Sequence, residues 1–250
     1  MTSKKRTTQW LPVLLALAAP LASLCSCSND DDEKYLYSPT ALVTVCTKPD
    51  NSFFLQLDDS TTLHPTNITQ SPFGGKEVRA LVNYSKTTHT DGTYINQNCV
   101  FINWIDSIRT KMPVEDKGDE NDKLYGNDAI EIVKDWVTVA EDGYLTMRIR
   151  TRWGNAATTH SINLLTGSNP NDPYELELRH NAYGDTYGKL GDALIAFNLN
   201  NLPHKPNAKV NIKLTWNSFY GKKTTEFKLQ TRPSFTTTDI GSIKFIRNFQ

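Results

Sequence analysis

The sequence predicts an all-β protein, a small closed barrel followed by an antiparallel β-sandwich, behind a cleaved N-terminal leader. Three observations predict it. Short apolar–polar alternations recur along most of the 250 residues, as in strands with one wet face. Asn, Thr and Asp cluster between these runs as turn formers. No segment sustains the period of a strong helix. A hydrophobic share of 38% with 10% aromatics suffices for a packed core.

The leader comes first. Lys4, Lys5 and Arg6 form a basic start, and Trp10 to Leu24 is apolar (WLPVLLALAAPLASL). That stretch is shorter than the roughly 18 residues of a spanning helix and contains Pro12 and Pro20, so it reads as a signal-peptide core. In Leu24-Cys25-Ser26-Cys27, Leu stands three residues before Cys27 and a small Ser immediately before it. The string resembles the lipobox of bacterial lipoproteins, whose cysteine sulfur takes a diacylglyceryl group. Cys25 competes less well, because bulky Leu24 would then occupy the small-residue position. The reading is a signal peptide over residues 1–26 and a lipidated Cys27 at the start of the mature chain. Acyl chains, at about 0.8 kcal/mol per buried methylene, make such an anchor essentially permanent. Residues 27–34 form an acidic tether with Asp30, Asp31, Asp32 and Glu33. Such a run resembles the surface-export signal of lipoproteins in Bacteroides-like bacteria. It implies the outer membrane, and the cell surface over the periplasmic leaflet.

The barrel is expected over residues 35–111. Ala41 to Cys46 is a β-branched strand. Ser52 to Leu57 is a second, closed by the turn Asp58-Asp59-Ser60. In Glu77 to Tyr84, Val78, Ala80, Val82 and Tyr84 share a face. In Cys99 to Ile108, Val100, Ile102, Trp104, Asp106 and Ile108 share one. Closure into a barrel removes exposed edges. Residues 112–128 (MPVEDKGDENDKLYGND) have no sustained apolar period and read as an interdomain linker.

The sandwich is expected over residues 129–230. Ile130 to Val137 opens it, and Glu141-Asp142-Gly143 signals a hairpin turn. In Tyr144 to Trp153, Leu145, Met147, Ile149 and Thr151 face one way; Thr146, Arg148, Arg150 and Arg152 face the other. Ser161–Leu165, Tyr174–Arg179, Ala193–Leu199, Lys209–Trp216 and Thr224–Leu229 are further strands, which suits two packed antiparallel sheets. Residues 231–250 form a tail with one strand-like piece, Ile243 to Ile246.

With this layout the sequence resembles the NigD-like lipoproteins. The resemblance is carried by the lipobox, FFLQLDDSTTLHPTN (Phe53 to Asn67), KEVRALVNYS (Lys76 to Ser85), VFINWIDSIRTK (Val100 to Lys111), DAIEIVKDWVTVAEDGYLTMRIRTRWG (Asp128 to Gly154) and LTWNS (Leu214 to Ser218). It implies an N-terminal OB-like barrel and a C-terminal β-sandwich. The family name derives from a bacteriocin operon in which an immunity role was proposed. The family supplies no catalytic residues to carry over.

Charge and chemistry narrow the function. Without Lys4, Lys5 and Arg6 the mature chain carries 24 positive against 27 negative residues, a net −3. That argues against nucleic acid, which needs a basic surface. Cys46 and Cys99, on the first and last barrel strands, are either a disulfide, which export permits, or two buried thiols. His64, His89, His160, His180 and His204 show no zinc spacing, so no metal or cofactor is expected. Glu175 and Glu177 share a strand face. Paired carboxylates serve glycosidases, but alternation with Leu176 and Leu178 makes a wet sheet face the better reading. Arg148, Arg150 and Arg152 read as a cross-strand pairing row, or as an anion site if unpaired. Trp104 and Trp216 share the phase of aliphatic neighbours and belong to cores, whereas Trp153, beside Gly154, has the best claim to exposure. There is no G-x-S-x-G elbow, P-loop or H-E-x-x-H helix. The expectation is a non-enzymatic, membrane-anchored module that binds a protein or glycan at the envelope. Bacteriocin immunity is the first alternative; the second is an envelope-polysaccharide enzyme, which requires converging carboxylates.

Overall fold

The structure is a computed structural model describing residues 38–87, 97–203 and 205–233. The leader, Cys27, the acidic tether, His89, His204 and the tail beyond Pro233 lie outside the described residues.

Five strands form a closed barrel: β1 (Ala41–Thr47), β2 (Phe53–Gln56), β3 (Thr62–Pro65), β4 (Val78–Lys86) and β5 (Cys99–Ser107), in the order β1-β2-β3-β5-β4. Val43, Val45, Leu55, Ala80, Val82, Val100 and Ile102 fill it. The short β3 has no legible period, because its four residues hold one buried apolar side chain, Leu63, and end in proline. Across from Asn83 and Tyr84 the β4–β5 register slips, and a bulge of this kind reverses which side chains point inward. Ile105 therefore packs on the barrel core while Trp104 stays half-buried outside the core cluster. This corrects the core placement expected for Trp104.

For Cys46 and Cys99 the sequence leaves a disulfide and two thiols open. Cys46 and Cys99 are free thiols. Sequence order misleads here: β1 neighbours β2 and β4, and β4 separates it from β5. Cys46 lies opposite Phe54, and Cys99 opposite His64.

Ten further strands build the sandwich. These are β6 (Arg109–Lys111), β7 (Val114–Glu115), β8 (Glu131–Val133), β9 (Val139–Glu141), β10 (Tyr144–Trp153), β11 (Ser161–Thr166), β12 (Glu175–Asn181), β13 (Lys189–Asn198), β14 (Lys209–Ser218) and β15 (Gly221–Gln230). One sheet runs β6-β13-β10-β8, with β9 also beside β10; the other runs β15-β14-β12-β11-β7. Leu145, Met147, Ile149, Leu164, Leu176, Leu178, Phe197, Ile212, Leu214 and Trp216 meet between them. Most pairings are antiparallel, whereas β6–β13, β7–β11 and β12–β14 run parallel.

Residues 112–128 do not form a linker. Residues 109–111, expected in the barrel, instead form β6 on one sandwich sheet; within 112–128, β7 joins the other sheet and a short helix, α1 (Asn121–Tyr125), follows. Two- and three-residue strands are too brief to show a period, and their order comes from pairing with distant β11 and β13.

The barrel and sandwich share a polar seam. Leu42, Ile108 and Ala196 form a small apolar contact beside it. Arg79 of β4 is wholly buried. Its guanidinium donates to Thr44 Oγ1 at 2.9 Å, to Thr146 Oγ1 at 3.2 Å and to Glu141. Nearby, Glu77 accepts from the Tyr144 hydroxyl and from Arg232, and Arg232 also donates to Asp142 at 2.8 Å. The main-chain N–H of Asp142 donates to Asp59 at 2.9 Å.

Candidate functional site

The candidate site is the end of the sandwich farthest from this seam. β10 begins at the seam, where Tyr144 meets Glu77. Ten strand residues at about 3.4 Å each carry it about 30 Å away, to Trp153. β15 covers the same distance in return, from Gly221 to the seam residue Arg232. The loops 154–160, 182–188 and 219–220 therefore gather at one end.

Large side chains crowd that end. Trp153 is 41% exposed, Leu190 54%, Tyr183 64%, Tyr187 79% and Tyr220 89%. Water-facing aromatics grouped in this way mark contact surfaces, since they bring large area at small entropic cost. Loop geometry holds them. Tyr183 takes a positive φ of 49°, and its N–H is held by Asn181 Oδ1 at 2.9 Å. Gly188 sits at φ 94°, and a β-carbon there would lie 2.4 Å from the Trp153 carbonyl oxygen. Only glycine permits so close an approach.

Beneath the aromatics lies a chain of three titratable groups. His180 ends the inward row Leu176, Leu178, His180 of β12 and is 1% exposed. Its Nδ1 is 3.2 Å from the Ala129 carbonyl oxygen, and its Nε2 is 3.0 Å from His160 Nδ1. His160 Nε2 is 3.3 Å from Asp185 Oδ2. Asp185 also accepts the main-chain N–H groups of Gly154 and Asn155, both at 3.0 Å. Those bonds hold its carboxyl below the usual range, the Asn155 N–H foremost, against the cost of burial. Burial pushes the His180 imidazole down, its repulsion by His160 adds to this, and the Ala129 bond opposes it. The Trp153 ring stands edge-on to His160 at 5.3 Å.

Spacing did not reveal this chain, because its histidines lie 20 residues apart and meet only through the β11–β12 pairing of Ile162 with His180. Trp153, by contrast, was marked by the glycine after it. Among the described residues no cluster of three His, Cys, Asp or Glu side chains could hold a metal ion.

The other sequence candidates disperse. Glu175 pairs with Lys213 at 2.8 Å and Glu177 with Arg179 at 3.0 Å, on the outer face of their sheet. They border a shallow open groove with Asn169, Thr215 and Lys222. Hydrogen bonding from Lys213 holds Glu175 below the usual carboxylate range, the opposite of what a general acid needs. Arg148 bridges Asp135 and Asp192, and Arg150 also takes Asp192. Arg152 donates to the Gly188 carbonyl and lies over the Phe219 ring. The row is thus a paired sheet face. Trp216 is 6% exposed in the core, and Trp136, beyond β8, is 54% exposed.

Comparisons with known proteins agree with this architecture. Residues 42–108 match the NigD-like N-terminal OB domain, and residues 112–229 match the NigD-like C-terminal beta sandwich domain. A structure described as a toxin-related protein from Parabacteroides distasonis is 32% identical, covering 82% of this chain and 98% of that one, with a TM-score of 0.64. A protein of unknown function from Bacteroides vulgatus is 21% identical over 82% of this chain and 98% of its own, with a TM-score of 0.57. A NigD-like immunity protein from Bacteroides caccae is 19% identical over 76% and 92%, with a TM-score of 0.54. These last two likenesses concern the fold. No curated protein matches the chain. Two adjoining domain matches and a 32%-identical structure along most of its length show that the chain belongs to the NigD-like family.

Proposed function

We propose that the protein is a lipid-anchored envelope module that binds a macromolecular partner through the far end of its sandwich, without catalysing a reaction. The observation that carries this reading is the exposed set Trp153, Tyr183, Tyr187, Leu190 and Tyr220. An anchor at Cys27 holds the chain at its N-terminal side. No helix among the described residues is long and apolar enough to cross a membrane, and the lipid would supply the attachment. The paired, outward Glu175 and Glu177 weigh against the polysaccharide-enzyme reading, which needs carboxylates converging on a cleft. A cell-surface address follows from the acidic run after Cys27.

Crosslinking on intact cells tests it, with the lipidated chain compared with Trp153→Ala/Tyr187→Ala. A specific protein or glycan captured by the native chain and lost from the variant is expected. Equal capture by both would overturn the assignment of the surface. Mass spectrometry of the mature N-terminus tests the anchor: a lipidated peptide beginning at Cys27 is expected, and one beginning at neither Cys27 nor Cys25 overturns it.

A second reading is favoured by the toxin-related and immunity descriptions carried by the Parabacteroides distasonis and Bacteroides caccae structures. The bound partner is then a bacteriocin, and deletion of the gene sensitises cells to one toxin while nutrient use is unchanged.

A further inference from the structure

The hydrogen inventory of the Ala129–His180–His160–Asp185 chain does not close with two neutral histidines. A neutral imidazole has one N–H and one bare nitrogen. The Ala129 carbonyl can only accept, so His180 Nδ1 must carry its hydrogen. His180 Nε2 is then bare and needs a donor, which places a hydrogen on His160 Nδ1. That leaves His160 Nε2 bare against the Asp185 carboxylate, lone pair facing lone pair at 3.3 Å. Reversing either tautomer moves the mismatch to another contact. One added proton satisfies all three contacts and sets a cation beside Asp185. These groups are buried: the His160 and Asp185 side chains are 2% and 9% exposed, so a mismatch has little water to relieve it.

We infer that His160 and His180 form a one-proton switch that clamps the loop 182–188 onto the loop 154–160 in its protonated state. The clamp is Asp185, which ties both loops through His160, Gly154 and Asn155. The proton comes from solvent and resides on His160. Burial of His180 disfavours the alternative. The groups facing the pair are Asp185 on the loop after β12, Trp153 at the end of β10, and Asp128 before β8, whose carboxylate takes the Ala182 N–H and whose charge acts on His180. Below the titration the three bonds close. Above it, the Asp185–His160 contact turns repulsive, and the loop bearing Tyr183 and Tyr187 loosens. The consequence for recognition rests on the binding surface proposed above; the proton switch itself does not.

The test uses the purified full-length chain in mild detergent, labelled with nitrogen-15 at histidine, across about pH 5 to 8, where imidazoles change charge. At the acid end His160 is expected to carry hydrogens on both nitrogens while His180 keeps only Nδ1–H. Protection of the Gly154 and Asn155 amides, corrected for intrinsic exchange, is expected to fall about fivefold or more as the proton leaves, the difference between charge-assisted and uncharged bonds. In His160→Gln the Asp185 contact is neutral at every pH, and this dependence is expected to vanish. Neutral rings throughout, or protection that changes equally in His160→Gln, would overturn the switch. Should that variant fail to fold, the histidine spectra of the native chain decide alone. These readings involve no partner, so they stand apart from the crosslinking result.

Discussion

Replacing Arg79 with methionine removes the cation at the centre of the domain seam. The side chain is wholly buried and joins β1, β9 and β10 through Thr44, Glu141 and Thr146. Methionine keeps much of the volume, so the loss is of charge and donors rather than packing. Stranding one partner of a buried pair costs about 3–5 kcal/mol. Glu141 keeps 21% side-chain exposure, which argues for the lower end, about 3 kcal/mol. In a chain of this size each kcal/mol moves Tm by about 2–4 °C, hence a fall of about 6–12 °C at pH 8. The deficit depends on pH with a definite sign. Burial raises the Glu141 carboxyl above its ordinary value, the Arg79 charge opposing it. Without Arg79 it rises further. A raised folded value gives stability that is complete below the unfolded value of about 4.3 and is lost as pH rises through the folded one. The gap between native and variant chains therefore narrows as pH falls from 8 toward 5. Differential scanning calorimetry at the two pH values measures it, and Arg79→Met/Glu141→Gln should regain part of the loss because neither charge is then stranded. A loss under about 1 kcal/mol, or an equal loss at pH 5 and 8, would refute the role of Arg79 as a buried charge partner.

Other tests follow the same structure. Unfolded in alkylating reagent without reductant, the chain should yield modified Cys46 and Cys99; recovery of a peptide bridged between them would contradict the strand order. In the folded chain Cys46 should react slowly at pH 7, since burial pushes its thiol well above the ordinary range and the thiolate is the reactive form. Gly143 turns the β9–β10 hairpin at φ 74°, and a β-carbon there would lie 1.9 Å from Asn200 Oδ1. Gly143→Ala should therefore cost about 1–3 kcal/mol in chemical denaturation, and a neutral result would mean that the turn relaxes freely. Asp192 is pulled down to about 2, mainly by its bond from Arg150, with Arg148 helping. Its lowered folded value gives stability present above the unfolded value of about 3.9, lost as pH falls toward about 2. Asp192→Asn should thus cost at most about 1 kcal/mol at pH 7, given solvent screening, with the cost shrinking as pH falls through about 2.

Legibility in the sequence followed the length of the apolar pattern. β10 and β14 each alternate over ten residues, and their inward residues Leu145, Met147, Ile149, Ile212, Leu214 and Trp216 all reached the core. At β5 the same reasoning failed after the bulge, where one extra residue exchanged Trp104 for Ile105. Of the candidate site, the exposure of Trp153 was readable from the turn beside it. Its partners were not, because Tyr183, Tyr187 and Tyr220 lie in loops with no period.

The sequence by itself determined the all-β class, the division into barrel and sandwich, and the inward face of the long strands that carry no bulge. These depend on local alternation, which sets which side chains can leave water together. Tertiary structure alone decided the strand order that parts Cys46 from Cys99, the recruitment of residues 109–115 into both sheets, and the meeting of His160 with His180 and Asp185. Such contacts join residues far apart along the chain, and local pattern carries no record of which strands become neighbours.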